Sequence, residues 1–170
     1  MFPLRTKDEA LFKFKELVNI LRNQGLLVEY FRSDDGGEFR AMQPYFKEQG
    51  IQWEPSAPYA QQQNGVSERS IRTVLEKART MLIHANLPKS FWAEALNTPV
   101  YLADRTPTSS LPDHKTPYEA WHEKKPDIQH LRVFGCTAWV LDYKTKGKMD
   151  PRGWKGTFMG YGNGKNQYRV

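Results

Sequence analysis

The chain has 170 residues, of which 39% are apolar and 26% charged, a composition that favours a folded core and excludes a disordered or fibrous protein. A single cysteine, Cys136, excludes an internal disulfide and a zinc site built on paired cysteines. The net charge is +6, and the absence of a long apolar run or a signal peptide favours an intracellular protein without a membrane partner.

The first third of the chain predicts an alternation of helices and strands. Apolar residues three or four apart predict an amphipathic helix over residues 9–24, which Gly25 ends. A buried strand is expected over Leu26–Arg32, followed by a turn at residues 33–37. A short helix at residues 42–49 and a strand at residues 51–53 complete this part, which therefore indicates an α/β fold.

The middle of the chain predicts two longer helices. Pro, Gly and Asn in residues 56–65 predict a loop without regular structure, after which a helix begins at Val66. The face of this helix away from its apolar stripe is expected to carry i,i+4 ion pairs among Glu68, Arg72, Glu76 and Arg79. A second helix is predicted from Ser90, a candidate N-cap, to about Asp104.

A composition change marks the last third. Three prolines predict a linker over residues 105–116, a short helix follows at residues 117–122, and short strands with glycines at bends then predict a small antiparallel barrel. Cys136 and three tryptophans, Trp92, Trp121 and Trp139, are expected to pack in cores. Residues 106–170 hold 11 Lys+Arg against 6 Asp+Glu. This excess is typical of a polyanion-binding segment, but also of many soluble proteins that lack such a partner.

Two acidic positions could carry chemistry. Asp34 follows the predicted strand in the run Ser33–Glu38, where ligands sit in open α/β sheets, and carboxylates there could hold a divalent cation. Taken alone, this run favours the alternative of a β-to-α turn in which Asp caps and Gly supplies a positive φ. Glu68 lies near the predicted start of the Val66 helix, where an acid also suits the helix dipole.

Five motifs, in this order, resemble those of the integrases of copia-type long-terminal-repeat retrotransposons: FRSDDGGEF, SAPYAQQQNGVSER, FWAEAL, TPYEAW and HLRVFGC. The resemblance covers nearly the whole chain and implies a ribonuclease-H-like core in which three acids bind two Mg²⁺ or Mn²⁺ ions. By position it makes Asp34 the second acid and Glu68 the third, both catalytic and metal-binding. The family's first aspartate precedes the first helix, and no residue before Lys7 matches it.

Further expectations follow from the same resemblance. Asp35 stands where the family usually has asparagine, adding negative charge beside the site, and Gln61 replaces a usual proline. Asn64 and Arg72 resemble DNA-contacting positions, although an ion pair of Arg72 with Glu68 or Glu76 is the alternative. Five basic residues of the last segment are expected at a phosphate-binding edge, against the alternative of a solvated hairpin: Lys144, Lys146, Lys148, Arg152 and Lys155.

The sequence therefore predicts a fragment of such an integrase, derived from a Pol polyprotein. Residues 1–105 are expected to form a partial ribonuclease-H-like core, residues 106–128 a linker with a short helix, and residues 129–170 a truncated SH3-like barrel. The implied reaction is DNA strand transfer in the nucleus, with weak metal binding and no activity of the fragment alone, DNA as partner and possible self-association. A non-enzymatic nucleic-acid-binding remnant is the main alternative, and a ribonuclease H matches the fold but fewer of the motifs.

Overall fold

The structure is a computed structural model that describes residues 2–56, 61–142, 147–162 and 167–170, with the backbone of residues 61–64. Its contacts divide the chain into two compact units, residues 2–71 and residues 72–170. The predicted domain boundaries at residues 105 and 128 stay predictions. The helices are α1 (Glu9–Asn23), α2 (Gly37–Arg40), α3 (Gln43–Gln49), α4 (Gln61–His84), α5 (Trp92–Asp104) and α6 (Pro117–His122). The strands are β1 (Tyr30–Ser33), β2 (Gln52–Pro55), β3 (Thr137–Leu141), β4 (Gly153–Thr157), β5 (Gly160–Tyr161) and β6 (Tyr168–Arg169).

The unit of residues 2–71 folds around an apolar cluster between α1, α3 and the first strand pair. Four buried side chains form its centre: Val18, Met42, Phe46 and Ile51. The ring of Phe14 on α1 meets that of Phe31 on β1 edge to face, with centroids 4.8 Å apart. Such aromatic pairs add stability beyond the area they bury. The core therefore fixes β1 against α1, and with it the segment that follows the strand.

The strand β1 is shorter than predicted. It begins at Tyr30 rather than Leu26, and pairs in parallel with β2 from Tyr30↔Gln52 to Ser33↔Pro55. The side chain of Leu27 is 75% exposed, so the expectation of a buried strand over the whole of residues 26–32 is wrong. The reason is the length of the partner, because β2 has four residues and its ladder ends where the Gln52 N–H donates to the Glu29 carbonyl at 2.7 Å.

Helix α4 is longer than predicted. It begins at Gln61, so the expectation that residues 61–65 lie in a loop is wrong, whereas residues 57–60 lie outside the described residues. The glutamines at its start are good helix formers. One interior glycine, Gly65, costs only about 1 kcal/mol relative to alanine. A helix of 24 residues tolerates that cost.

The unit of residues 72–170 packs the last part of α4 with α5 and the C-terminal strands. Its buried cluster joins Ala78 and Leu82 of α4, Ala95 and Leu96 of α5, Phe134, and Met159. Helix α5 ends at Asp104 as predicted but begins at Trp92, after a 3₁₀ turn at Lys89–Phe91, so the expectation of a start capped by Ser90 is wrong. Helix α6 has the predicted bounds, and the Thr116 hydroxyl caps it by accepting from the Glu119 N–H at 3.0 Å.

Two glycines allow the C-terminal strands to approach the helices closely. Gly135 has φ +81°, and a Cβ there would lie 2.2 Å from Cβ of Ala85, just after α4. Gly160 has φ +133°, and a Cβ there would lie 2.7 Å from Oγ1 of Thr98 on α5. Any side chain at these positions would clash and strain the backbone. The glycines therefore seat this segment on α4 and α5.

A polar and aromatic contact also joins α5 to β5. The Tyr161 ring stacks on that of Tyr101, with centroids 4.3 Å apart. The Tyr161 hydroxyl accepts from the Arg132 N–H at 3.0 Å and donates to the Arg132 carbonyl at 3.2 Å. Burial raises the pKa of the Tyr161 phenol, which stays protonated and keeps both bonds.

The C-terminal strands form two antiparallel pairs within the described residues, β3 with β4 and β5 with β6. Together with the helices and the parallel pair β1–β2, these pairs make the protein a mixed α/β structure, which confirms the predicted α/β class. Among the described residues, the search for a helix long and apolar enough to cross a membrane finds none.

Candidate functional site

Asp34 lies directly after β1, at the carboxyl end of the parallel strand pair, and its side chain is exposed. The backbone beside it is fixed by the Ser33 hydroxyl, which donates to the Asp34 carbonyl at 2.8 Å and accepts from the Trp53 indole N–H at 2.9 Å. The Ser33 carbonyl accepts in turn from the Ser56 N–H at 2.9 Å. The carboxylate of Asp34 is thus held at the edge of the sheet where ligands bind in parallel α/β folds.

The neighbouring acid, Asp35, is engaged by an arginine. The Arg40 Nε donates to Asp35 Oδ1 at 2.7 Å, and the second Asp35 oxygen accepts from Nη2 of the same guanidinium. This bidentate bond lowers the pKa of Asp35 and raises that of Arg40. The charge that the sequence adds beside Asp34 is therefore balanced by Arg40 of α2, in a pair that the sequence analysis missed.

A third acid, Glu38, lies near Asp34 across Gly36. A Cβ placed on Gly36 would lie 3.0 Å from the Glu38 carboxylate and 3.3 Å from Asp34 Oδ1. A bond from its own backbone N–H lowers the pKa of Glu38, and the Lys7 ammonium, 3.0 Å from Oε1, lowers it further. The small residue at position 36 thus makes room for two carboxylates, and Glu38 is a candidate that the sequence analysis did not single out.

Glu68 lies on α4, exposed, as does Arg72 one turn later. Because the helix begins at Gln61, its first turn contains no acid and Glu68 lies two turns inside. The helix dipole therefore no longer explains this glutamate, since the dipole effect fades after the first turn. Within the described residues neither side chain makes an ion pair, so the expected i,i+4 pairs of Arg72 with Glu68 or Glu76 are absent there.

The other predicted DNA-binding residues are only partly visible. Asn64 belongs to α4, but its side chain is not among the described parts of the structure. Lys144 and Lys146 lie entirely outside the described residues. Lys148 is exposed after β3. The phosphate-binding edge therefore stays a prediction, although Arg152 and Lys155 are exposed like Lys148.

The comparisons with known proteins give the chain a family. It is 37% identical to the Retrovirus-related Pol polyprotein from transposon TNT 1-94 of Nicotiana tabacum, over all of this chain and 13% of that polyprotein. It is 34% identical to that from transposon RE1 of Arabidopsis thaliana, over 99% of this chain and 12% of that polyprotein. The chain belongs to the copia-type retrovirus-related Pol polyproteins. It therefore spans about an eighth of the length of these two relatives.

Two further comparisons refine this result. The family described as "Retroviral polymerase SH3-like domain" matches residues 136–170, which confirms an SH3-like segment at the end of the chain. An 18% identical chain covers 91% of this one with a TM-score of 0.54, and 54% of that chain is matched. It comes from the cryo-EM structure of the simian T-cell lymphotropic virus intasome in complex with PP2A regulatory subunit B56 gamma. This likeness concerns the fold alone, and it agrees with the resemblance seen in the motifs.

The metal-binding capacity of this polyprotein segment depends on its oxygen donors. Asp34 and Glu68 are exposed carboxylates, the ligand class that Mg²⁺ and Mn²⁺ prefer. In the described parts of the chain, however, no three His, Cys, Asp or Glu side chains form a group that could hold a metal ion. Asp35 and Glu38 are in addition engaged by Arg40 and Lys7. The donor chemistry fits a divalent cation, while the number of ligands falls short of a complete site.

Proposed function

We propose that this segment supplies part of the active site of a retrotransposon integrase, within a ribonuclease-H-like core, for metal-dependent DNA strand transfer. The supporting observation is Asp34, an exposed carboxylate at the carboxyl end of β1, in a chain that matches Pol polyproteins over its full length. The Asp34 backbone carbonyl accepts from the Ser33 hydroxyl, which itself accepts from the Trp53 indole, at the edge where parallel sheets bind ligands.

Each residue then has a defined task. Asp34 and Glu68 hold the divalent cation, while Arg72, Asn64 and the lysines around Lys148 bind DNA phosphates in the nucleus. A bound Mg²⁺ or Mn²⁺ would polarise the phosphodiester and stabilise the charge on its leaving oxygen. Arg40 keeps Asp35 ionised and paired, so Asp35 does not compete for the cation.

The segment alone is inactive in this proposal. Two-metal phosphoryl transfer requires ions fixed by several ligands, and among the described residues no three acids group as a cation site, since Glu38 near Asp34 is paired with Lys7. A weak cation site without turnover is therefore expected. The shortage of metal ligands also favours a second candidate function, a non-enzymatic DNA-binding remnant. In that case Asp34 and Glu68 bind no common metal ion.

Paramagnetic Mn²⁺ separates the two functions on the chain as it exists. In NMR spectra, the lowest Mn²⁺ concentrations should broaden the amide signals around Asp34 and around Glu68. The Asp34→Asn substitution should weaken the broadening at both places. Asp113→Asn, an exposed acid of the other unit, is the matched control and should change neither. If the broadening shows no preference for these two segments, the proposed cation site is wrong, and the result favours the second candidate function, a DNA-binding remnant.

A DNA-joining assay tests the inactivity. With labelled oligonucleotides and Mg²⁺ or Mn²⁺, the chain should give no strand transfer above background. Extension by the preceding segment of the tobacco relative should give activity that Asp34→Asn or Glu68→Gln abolishes without loss of DNA binding. A Glu68-dependent joining reaction by the 170 residues themselves would show that the site is already complete.

A further inference from the structure

The hairpin of β3 and β4 exposes an aromatic side chain that was expected in a core. Trp139 is 75% exposed, and within the described residues its ring packs on no other ring. The expectation that Trp92, Trp121 and Trp139 pack cores is wrong for all three, since they are 48%, 58% and 75% exposed. Trp139 differs from the other two because it lies on a regular sheet face.

The register of the hairpin places a lysine beside this ring. Trp139 pairs with Lys155 across the antiparallel ladder. The Phe158 N–H donates to the Cys136 carbonyl at 2.8 Å, and the Asp142 N–H donates to the Arg152 carbonyl at 2.7 Å. Pairs alternate along such a ladder, so Trp139 and Lys155 form a non-hydrogen-bonded pair, in which side chains lie closest.

The two faces of the hairpin have different chemistry. The face that carries Trp139, here called the Trp139 face, bears one cation, two hydroxyls and no acid; its members are Thr137, Trp139, Leu141, Lys155 and Thr157. The opposite face carries Val140 and Trp154. The Trp154 ring lies against Gly156, because a Cβ there would be 2.6 Å from it. Of the two hairpin tryptophans, Trp139 is the more exposed, at 75% against 48% for Trp154.

An open indole beside a lysine suits a ligand that combines flat apolar rings with phosphate groups. Unpaired bases stack on aromatic side chains, while Lys binds the adjacent backbone. Bases in a duplex hide their flat faces within the stack, so the ring face selects single strands. The hairpin also belongs to the basic part of the chain, since residues 106–170 hold 11 Lys+Arg against 6 Asp+Glu, a charge that a polyanion complements.

We propose that the Trp139 face binds single-stranded DNA, with an unpaired base stacked on the indole of Trp139 and a neighbouring phosphate bound by Lys155. The inference rests on the proposed function, because it assumes that the segment works on DNA. It adds a preference for unpaired ends or displaced strands, which Asp34 and Glu68 do not supply.

Fluorescence anisotropy with a labelled 12-nucleotide oligo-dT and a labelled duplex tests the proposal on the full 170-residue chain. Trp139→Ala should weaken oligo-dT binding about 5- to 150-fold, the equivalent of about 1–3 kcal/mol of stacking per base. Trp139→Phe should retain most of the affinity. Lys155→Gln should flatten the salt dependence for oligo-dT by about 0.7 in log–log slope, one phosphate contact.

Trp121→Ala is the matched control, because it removes an exposed tryptophan from α6 and should leave oligo-dT binding unchanged. Duplex binding should change little in any variant. Equal losses for single strand and duplex, no loss in Trp139→Ala, or the same loss in Trp121→Ala would overturn the proposal. Failure of this proposal can be told apart from failure of the proposed function. The proposed function is tested at Asp34 and Glu68, by the Mn²⁺ and DNA-joining experiments.

Discussion

At the scale of single residues, the three neighbouring acids in the turn after β1 differ in the partners that bind them. Asp35 is bound by Arg40 and Glu38 by Lys7, and both contacts lower the pKa of the acid. No hydrogen bond or ion pair occupies the Asp34 carboxylate within the described residues. The acid that the motif assigns to the metal is thus the one that stays available. A surface pair adds little stability, so the main effect of Arg40 is on charge.

This division predicts a shift in the titration of Asp35. Arg40→Ala should raise the pKa of Asp35 toward its ordinary value, because the variant loses the bidentate bond and the guanidinium charge. NMR titration of the carboxyl carbon measures this directly. Since the folded-state pKa is lowered, any stability from the pair is present above the unfolded value and is lost as pH falls through the folded one.

The control is Arg32→Ala, which removes the arginine that binds Glu54 across the β1–β2 pair at 2.7 Å. It should leave the titration of Asp35 where it is. An unchanged pKa of Asp35 in Arg40→Ala would mean that the α2 pair does not persist in solution.

At the scale of elements, close backbone approach holds the SH3-like segment on the helices. Gly135 combines a positive φ with a Cβ position 2.2 Å from Ala85 Cβ, so Gly135→Ala must both strain the backbone and push the segment from the end of α4. We expect the free energy of unfolding to fall by about 1–3 kcal/mol. Urea denaturation followed by tryptophan fluorescence measures this change.

Gly147→Ala is the matched control for that variant. The nearest atom to its Cβ position is 3.6 Å away, an ordinary van der Waals distance, so stability should change by less than about 0.5 kcal/mol. Equal stability of the two variants would show that the segment is not seated on Ala85.

Elements whose signal is local could be predicted from the sequence. The periodicity of α1 and the prolines around α6 gave their bounds, and the motif placed Asp34 at a strand end. What failed depends on distant partners. The length of β1 is set by β2, and the alternation of residues along β3 does not tell which of its two faces stays exposed, so the exposure of Trp139 could not be predicted. Neither Arg40 with Asp35 nor Glu38 near Asp34 leaves a periodic signal, because a turn at Gly36 brings them together.

At the scale of the whole molecule, charge and carboxylates lie in different parts of the chain. Asp34 and Glu68 belong to the unit of residues 2–71, whereas the basic excess belongs to residues 106–170. In the proposed function, one part would bind the DNA backbone while the other would present metal ligands. It also predicts that DNA affinity and metal binding respond to different substitutions.

The salt dependence of duplex binding tests this division. Replacing Lys144, Lys146 and Lys148 together by Ala should lower affinity and reduce the steepness of log K against log salt by about 2–3, since each phosphate contact contributes about 0.9. Anisotropy with a labelled duplex between about 50 and 200 mM salt gives the slope. The control is a triple variant in which Lys15, Arg22 and Lys47 are replaced by Ala, which removes the same amount of charge from the unit of residues 2–71. If both triples change the slope equally, binding follows net charge alone, and an unchanged slope in the first removes these lysines from the DNA-binding surface.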